Sequence, residues 1–542
     1  VADVGGALER EGVDLDSVLE DVSLSFITDN SVNWSFKQFK GDKAPGVDEI
    51  RTPVLRNLPF KFKTFISVVF RCMLKLAYIP KGWCEAKVIF IAKQGKSDYS
   101  DPKSYRPISL TSHMLKSLER LVLTQIKDKY LQLKPLNANQ HAFRAGSSTE
   151  SALIDLVDDI ESATLRKQYA LGTFLDISGA FDNININAVV DALLRRGIPA
   201  FIVDWYSFYL NNRRARVDLK GITYERKLTR GVPQGGILSP MVWNLAFDDL
   251  LNQFKSGPVK SRGFADDVCL LAKGPDPNVL VDIMEVALKK ATCWGVKYKL
   301  NFNQEKTDVM LFHRFNKIKC KMKELRFQGK AISLSNEVKY LGVYLDPKLN
   351  FGSHLCKRIA KAKALLFAVK NAIGRLWGPS PKWMLWSWTQ MVRPMIAYGA
   401  VVWAQKTQRK HKMLTRLQRL GLMTMTNIIK STPTSTLELL AGVLPLPLFL
   451  NEVGLLSFIR NKDRNPSKWD GIGNGNQVST KRGWLKECKK FWDDVPSTDN
   501  IYQCSVNTFF KQGDTSGGVL NTNHTIKVFT RSEEHTSELQ SQ

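Results

Sequence analysis

The stretch "GFADDVCLL", Gly263–Leu271, limits what this chain can fold into more than any other. Apolar residues of strand-like character lie on both sides of Asp266 and Asp267. Neighbouring side chains on a strand point to opposite faces, so two adjacent aspartates in a flat strand would diverge, and one would be buried. An unpaired buried carboxylate is expensive. The chain avoids that cost by turning at the pair. "RGFA" is then one strand, "VCLLA" returns, and both carboxylates sit at or near a hairpin tip. Like charges that close repel unless a cation lies between them. The question is then whether the rest of the sequence supplies a cation site and something for the ion to act on.

The chain supplies another strand-end carboxylate. "ALGTFLDISGAFDNI" reads as a strand ending near Asp176, followed by a turn and a helix start. Between the two acidic sites lies "ARVDLKGITYERKLTRGVPQGGILSPMVWNLAFDDLL", a strand pair, a glycine-rich turn and a helix. Hard divalent cations of the Mg²⁺ type take oxygen ligands from a few carboxylates plus substrate phosphates. A pair of such ions can activate an attacking oxygen and stabilise the leaving one. An isolated Asp-Asp is weak evidence for this. One Asp at a strand end, two at a hairpin and "PQGG" between them are far more specific.

The other elements are those of a mixed protein. "FKFKTFISVVFRCMLKLAYIP" (60–80) and "TSHMLKSLERLVLTQIKDKYL" read as helices with one buried face, and "KVIFIAK" as a strand. After the hairpin, "PNVLVDIMEVALKKATCWGVKYKL" is a helix, and "NFNQEKTDVMLF" and "VKYLGVYLD" (338–346) return to strand. Residues 354–430 read as basic helices rich in tryptophan, with Trp377, Trp383, Trp386, Trp388 and Trp403 expected mainly in the core. The length, 542 residues, predicts three or four packing units.

Charge points to the partner. The chain has 78 Lys and Arg against 51 Asp and Glu, a formal net charge of +27. Such a surface attracts polyanions, with nucleic acid favoured over an anionic membrane. No apolar run reaches the ~18 residues that a membrane helix needs. Eight cysteines without a C-x-x-C pair argue against a zinc ribbon or a disulfide framework and fit reduced, intracellular thiols.

In order, "FLDISGAFD", "GVPQGGILSP", "GFADDV", "LNFNQEKT" and "YLGVYLD" resemble the palm motifs of reverse transcriptases, in particular those of non-LTR (LINE-type) retrotransposons. "KAPGVDEI", "SYRPISLTS" and "QHAFRAGSSTESAL" resemble the same family's fingers, and "STPTSTLELLAGVLPL" the segment after its thumb. The resemblance covers about residues 40–450. It implies an α+β right-hand polymerase fold: a lead-in over 1–40, fingers and palm over 41–353, a helical thumb over 354–445 and a connector over 446–525. It also implies an RNA-directed DNA polymerase that adds dNTPs to a primer 3′-OH on an RNA template, with an RNA–DNA hybrid as partner. Two Mg²⁺ ions, or Mn²⁺ in their place, would be its cofactors. Ribonucleoprotein assembly in the cytoplasm and integration in the nucleus are implied as well.

Carried over residue by residue, Asp176, Asp266 and Asp267 resemble the metal-binding triad. Phe181 resembles the ring that crowds a ribose 2′-OH, although by its position it could equally be a core aromatic at a helix start. Gln234 with Gly235 and Gly236 resembles the turn that contacts the incoming nucleotide, although spacing alone allows a simple tight turn. Lys306 resembles the lysine that protonates departing pyrophosphate; solvated strand-edge lysines are the commoner case. Lys93 and Arg106 resemble fingers residues that grip triphosphate, where Arg binds phosphate bidentately. Asp182 reads as a structural residue bonding within its own turn. His113, His141 and His313 have no partners at metal-like spacing.

Two other readings remain at this point. A viral-type RNA-dependent RNA polymerase shares the palm, but usually has Gly-Asp-Asp where Ala265-Asp266-Asp267 stands here. An inactive nucleic-acid-binding remnant would also be basic. "IKVFT" (526–530) resembles the opening strand of a ribonuclease H domain, and "RSEEHTSELQS" (531–541) resembles a translated sequencing adapter, so the sequence is expected to be a fragment.

Overall fold

The computed structural model describes residues 15–315, 322–371, 379–404, 407–426 and 431–461. The start of the expected lead-in, Trp377, residues 462–525 of the expected connector, the ribonuclease H-like strand and the adapter-like tail lie outside the described residues. The described residues form two compact units where the length predicted three or four. One comprises 15–144 and 158–338, the other 145–157 and 339–461.

Nine strands of the first unit frame its site: β1 (Glu85–Ala92), β2 (Tyr105–Leu110), β3 (Tyr169–Ser178), β4 (Arg214–Leu219), β5 (Ile222–Lys227), β6 (Val259–Phe264), β7 (Asp267–Gly274), β8 (Asn301–Phe302) and β9 (Asp308–Phe312). One sheet runs β2-β1-β4-β5, with β1 and β4 parallel and the other pairs antiparallel. The second is wholly antiparallel. Its central strand β3 pairs β7 along one edge and both β8 and β9 along the other, while β6 lies outside β7.

β3, "YALGTFLDIS", is apolar nearly throughout because it is covered on both faces; its first seven residues are all buried. The helix Pro277–Tyr298 packs on β3 and β7, and Trp294 and Tyr298 join Leu171, Leu175, Val268 and Leu270 in the core. The helix Ser239–Asn252 adds Trp243, Phe247 and Leu250. Phe247 lies so close to β6 that a Cβ on Gly263 would overlap its ring. The glycine of "GFADD" is thus explained by packing.

Most expected elements form. Helices cover Phe60–Lys75, His113–Gln125 and Pro277–Tyr298. Part of the lead-in, Asp29–Lys37, is a helix capped by reciprocal Thr28 and Ser31 hydrogen bonds, with Val32 and Phe36 buried. "VKYLGVYLD" is not one strand. Leu341 and Gly342 both take positive φ (44° and 79°), which splits it into Val338–Tyr340 and Val343–Leu345.

In the second unit, Gly352–Asn371, Pro381–Ser387, Gln408–Thr426 and Leu446–Arg460 are helical. The last of these covers ground expected as connector, yet its Leu446 and Leu450 are buried. The tryptophans divide. Trp388 and Trp403 are fully buried, whereas Trp383 and Trp386 are 61% and 49% exposed, with ring centroids 5.8 Å apart at 72°. The expectation of core indoles fails for that pair because residues three apart on Pro381–Ser387 share its solvent face. No helix among the described residues is long and apolar enough to cross a membrane.

Candidate active site

Backbone register brings the acids together. Asp176, on the central strand, pairs directly with Asp267, the first residue of β7. Directly paired residues point to one face, so the two carboxylates share the side of the sheet that also carries Phe174 and Cys269. β6 and β7 close on the pair Phe264–Asp267, which leaves Ala265 and Asp266 as a two-residue turn. Ala265 enters the left-handed region at φ 55°. The tip of the hairpin is therefore Asp266, as the sequence required.

Crowding has an electrostatic cost. Burial, then the charges of Asp266 and Asp176, pushes the Asp267 carboxyl up to about 6. Asp266 is also raised. Local desolvation is the main cause and Asp176 adds to it, while its own backbone N–H, Arg106 and Lys306 oppose the shift. Lys306 supplies the direct countercharge: its Nζ lies 3.0 Å from Asp176 Oδ2. It sits in a short 3₁₀ turn, Gln304–Lys306, and the neighbouring Asn303 N–H donates to the Asp176 carbonyl.

Among the described residues, no group of three Asp, Glu, His or Cys side chains is gathered closely enough to hold a metal ion by itself. The donor set nevertheless fits a hard divalent cation. It is three oxygen-bearing acids in mutual repulsion, and ions of the Mg²⁺ type complete their shells with water and substrate phosphate.

The other predicted residues fall around this corner. Phe181 is half-buried and stacks on Trp243, with ring centroids 5.7 Å apart at 27°; Phe143 meets it edge-on at 6.4 Å. Gln234 Nε2 lies 3.1 Å from both oxygens of Asp182, so the Asp182 carboxylate bonds across to the glycine-rich turn, where the sequence suggested bonding within its own turn. The Gln234 carbonyl accepts from Ser109 N–H at 2.8 Å, tying the turn to β2. Gly235 has φ +128°, and a Cβ there would lie 2.5 Å from the Ser109 carbonyl oxygen, which no side chain tolerates. Arg106, exposed on β2, acts electrostatically on Asp266. Lys93 is turned onto the Lys103 carbonyl (2.8 Å) and acts on Asp182.

Three residues that the sequence reading passed over hold this arrangement. Arg213, buried, donates through Nη2 to the carbonyls of Arg230 and Gly231 at 3.0 and 2.6 Å. Glu119, with no exposed surface, accepts from Ile237 N–H at 2.8 Å. The two charged groups thus grip opposite ends of the "GVPQGG" turn. Burial raises the Glu119 carboxyl to about 7, against the lowering by the Ile237 N–H, Lys116 and Arg120. A signal was present: Glu119 falls on the apolar stripe of its helix, with Leu115, Leu118 and Val122. The third residue is Trp243, whose indole N–H donates to the Ala265 carbonyl at 2.8 Å.

Comparison with known proteins agrees with this geometry. Residues 91–345 match the family "Reverse transcriptase (RNA-dependent DNA polymerase)". These residues are similar to reverse transcriptase domains. The chain is 26% identical over 463 residues to the retrovirus-related Pol polyprotein from type-1 retrotransposable element R1 of Bradysia coprophila, covering 84% of this chain and 45% of that protein. It is 30% identical over 339 residues to the RNA-directed DNA polymerase from mobile element jockey of Drosophila melanogaster, covering 61% and 36%. The chain thus spans less than half the length of these curated relatives. Among solved structures, the apo telomerase from Candida tropicalis, truncated from its C-terminal domain, aligns at a TM-score of 0.35 and 13% identity over 53% of this chain and 59% of that one. The mixed helices and sheets are those of the α+β fold class that the motifs implied.

Proposed function

We propose that this chain is the RNA-directed DNA polymerase of a non-LTR retrotransposon, extending a primer 3′-OH with dNTPs on an RNA template. The observation that carries the reading is the cross-strand pairing of Asp176 with Asp267 beside Asp266 at the turn. Lys306 pairs with Asp176, and a bound cation would offset the remaining repulsion among the three carboxylates.

Asp176, Asp266 and Asp267 would hold two Mg²⁺ ions. Bound there, the ions would lower the barrier by stabilising the attacking 3′-oxygen and the leaving pyrophosphate oxygen. The protein's part is positioning and electrostatics. Lys306, held against Asp176, offsets carboxylate charge before substrate arrives and would then give a proton to the leaving pyrophosphate. Phe181, stiffened by Trp243, presents a ring edge against a ribose 2′-OH and so favours deoxynucleotides. Gln234 and Gly235 offer a backbone open to close approach by nucleotide and template. Arg106 and Lys93 supply positive charge for the triphosphate.

The second unit fits duplex binding by charge. Gln408–Thr426, "QRKHKMLTRLQRLGLMTMT", has five basic residues counting Lys and Arg and no acidic one. Contacts of this kind go to phosphates, are salt-sensitive and ignore sequence. An A-like RNA–DNA hybrid, read by shape and backbone, suits them.

The test is primer extension with the full chain on a homopolymer RNA template, a DNA primer and labelled dNTP. Extension that requires Mg²⁺ or Mn²⁺ and is lost in Asp266→Ala, with hybrid binding retained, supports the reading. Extension with rNTPs alone, or equal loss of binding and folding in the variant, overturns it.

A further inference from the structure

Trp243 touches both parts of the proposed centre. It lies on the helix Ser239–Asn252 and has no exposed surface. Its indole N–H donates to the Ala265 carbonyl at 2.8 Å, and its ring stacks on Phe181 with centroids 5.7 Å apart at 27°. The bonded carbonyl belongs to the residue that turns the chain into Asp266. That residue is an alanine at φ 55°, a conformation that L-residues, unlike glycine, mostly avoid. The hydrogen bond is thus spent on the strained corner of the acidic hairpin. Behind the indole, Phe247 stacks at 5.9 Å and fixes its plane. The same Phe247 fills the space beside Gly263, two residues before Ala265.

We propose that Trp243 is a positioning residue that sets two things with one rigid ring: the orientation of the acidic turn through its N–H, and the seat of Phe181 through its face. The proposal rests on the polymerase reading above. A tryptophan that merely filled core would find its N–H partner anywhere within reach, since buried indoles normally have one. Here the partner is the backbone of the acidic corner, and the stacking partner is the residue placed to read the sugar. The two functions are separable. Trp243→Phe keeps a stacking ring and removes the N–H; Trp243→Leu removes both.

The experiment uses the full chain as wild type, W243F, W243L and D266N. Its three readouts are thermal melting, Mn²⁺ binding by electron paramagnetic resonance, and extension of a DNA primer on a homopolymer RNA template with dNTP or rNTP. W243F is expected to lose about tenfold in Mn²⁺ affinity and in kcat, the scale of one hydrogen bond, with its dNTP-over-rNTP preference unchanged. W243L is expected to lose that preference as well.

Wild-type Mn²⁺ affinity and kcat in W243F would overturn the proposal, as would an unchanged sugar preference in a folded W243L. Should W243L melt below the assay temperature, W243F decides alone. Should the wild type extend no primer, the polymerase reading fails, and the Mn²⁺ arm still decides the role of the N–H. Binding that D266N abolishes and W243F weakens upholds it; binding equal in W243F, or no D266N-sensitive binding at all, overturns it.

Discussion

The acidic corner of the first unit and the basic helices of the second carry charge in opposite ways. At the corner, three carboxylates and Lys306 are held by strand register and a two-residue turn, partly out of water. On Gln408–Thr426, lysines and arginines are strung along a helix, and Lys412, for one, is exposed. Desolvated charges interact strongly, and each has a fixed address. Exposed charges are screened, act together, and are individually worth little. Catalysis should therefore fail at single positions in the first unit, while affinity in the second should erode gradually.

The sharpest way to break that contrast is at the corner itself. Asp266→Ala should lower the rate of primer extension on the order of 10³-fold or more, since it removes a charge aimed at the reacting oxygens. Hybrid affinity, measured by fluorescence anisotropy, should stay within about twofold, because most of it comes from phosphate contacts elsewhere. A comparable fall in both would erase the distinction between the two regions.

Packing beneath the corner comes next. Gly263→Ala would place a methyl in the Phe247 ring, so a denaturation experiment should show a loss of about 1–3 kcal/mol, the usual cost of overpacking. Wild-type stability in that variant would mean that β6 and the helix Ser239–Asn252 are not closely apposed.

Buried acids occur in both units and sharpen the comparison through pH. Burial, the largest cause in each case, raises Glu119 and Glu438 from 4.5 to about 7. A group with a raised folded pKa stabilises fully below its unfolded value, and that stability is lost as pH rises through the folded value. Each unit should thus weaken between about pH 4.5 and 7. Each term is on the order of 3 kcal/mol at most. Glu119→Gln keeps an acceptor for Ile237 N–H and should flatten the first unit's share; Glu438→Gln, beside Gln418, should flatten the second's. Melting curves across that range check both, and a pH-independent wild type would refute them.

The smallest effect belongs to the helices. Lys412→Ala should weaken hybrid binding only a few-fold, and should flatten the dependence of log affinity on log salt by about 0.7–0.9. A tenfold or larger loss would show that this helix has fixed, specific contacts like those at the corner.

The local sequence determined a good deal. A bounded apolar run placed β3, helical periodicity the long helix Pro277–Tyr298 and turn chemistry the hairpin, and the adjacency of Asp266 and Asp267 forced a turn, because a strand cannot hide two neighbouring carboxylates on one face. The resemblance in motif order, together with net charge, pointed to the kind of chemistry proposed. Those signals lie within a few residues of one another, or depend only on composition.

Only the tertiary structure decided which tryptophans were buried, that "VKYLGVYLD" breaks at Leu341–Gly342, and that Asp182 reaches Gln234. It also decided that Asp176 meets Asp267 in register, that Glu119 and Arg213 hold the glycine-rich turn, and that Trp243 bonds to Ala265. Each of these joins distant parts of the chain or depends on which face a neighbour covers. Periodicity tells a residue's face along its own element; what that face meets is settled when separate elements pack and buried polar groups must find their partners.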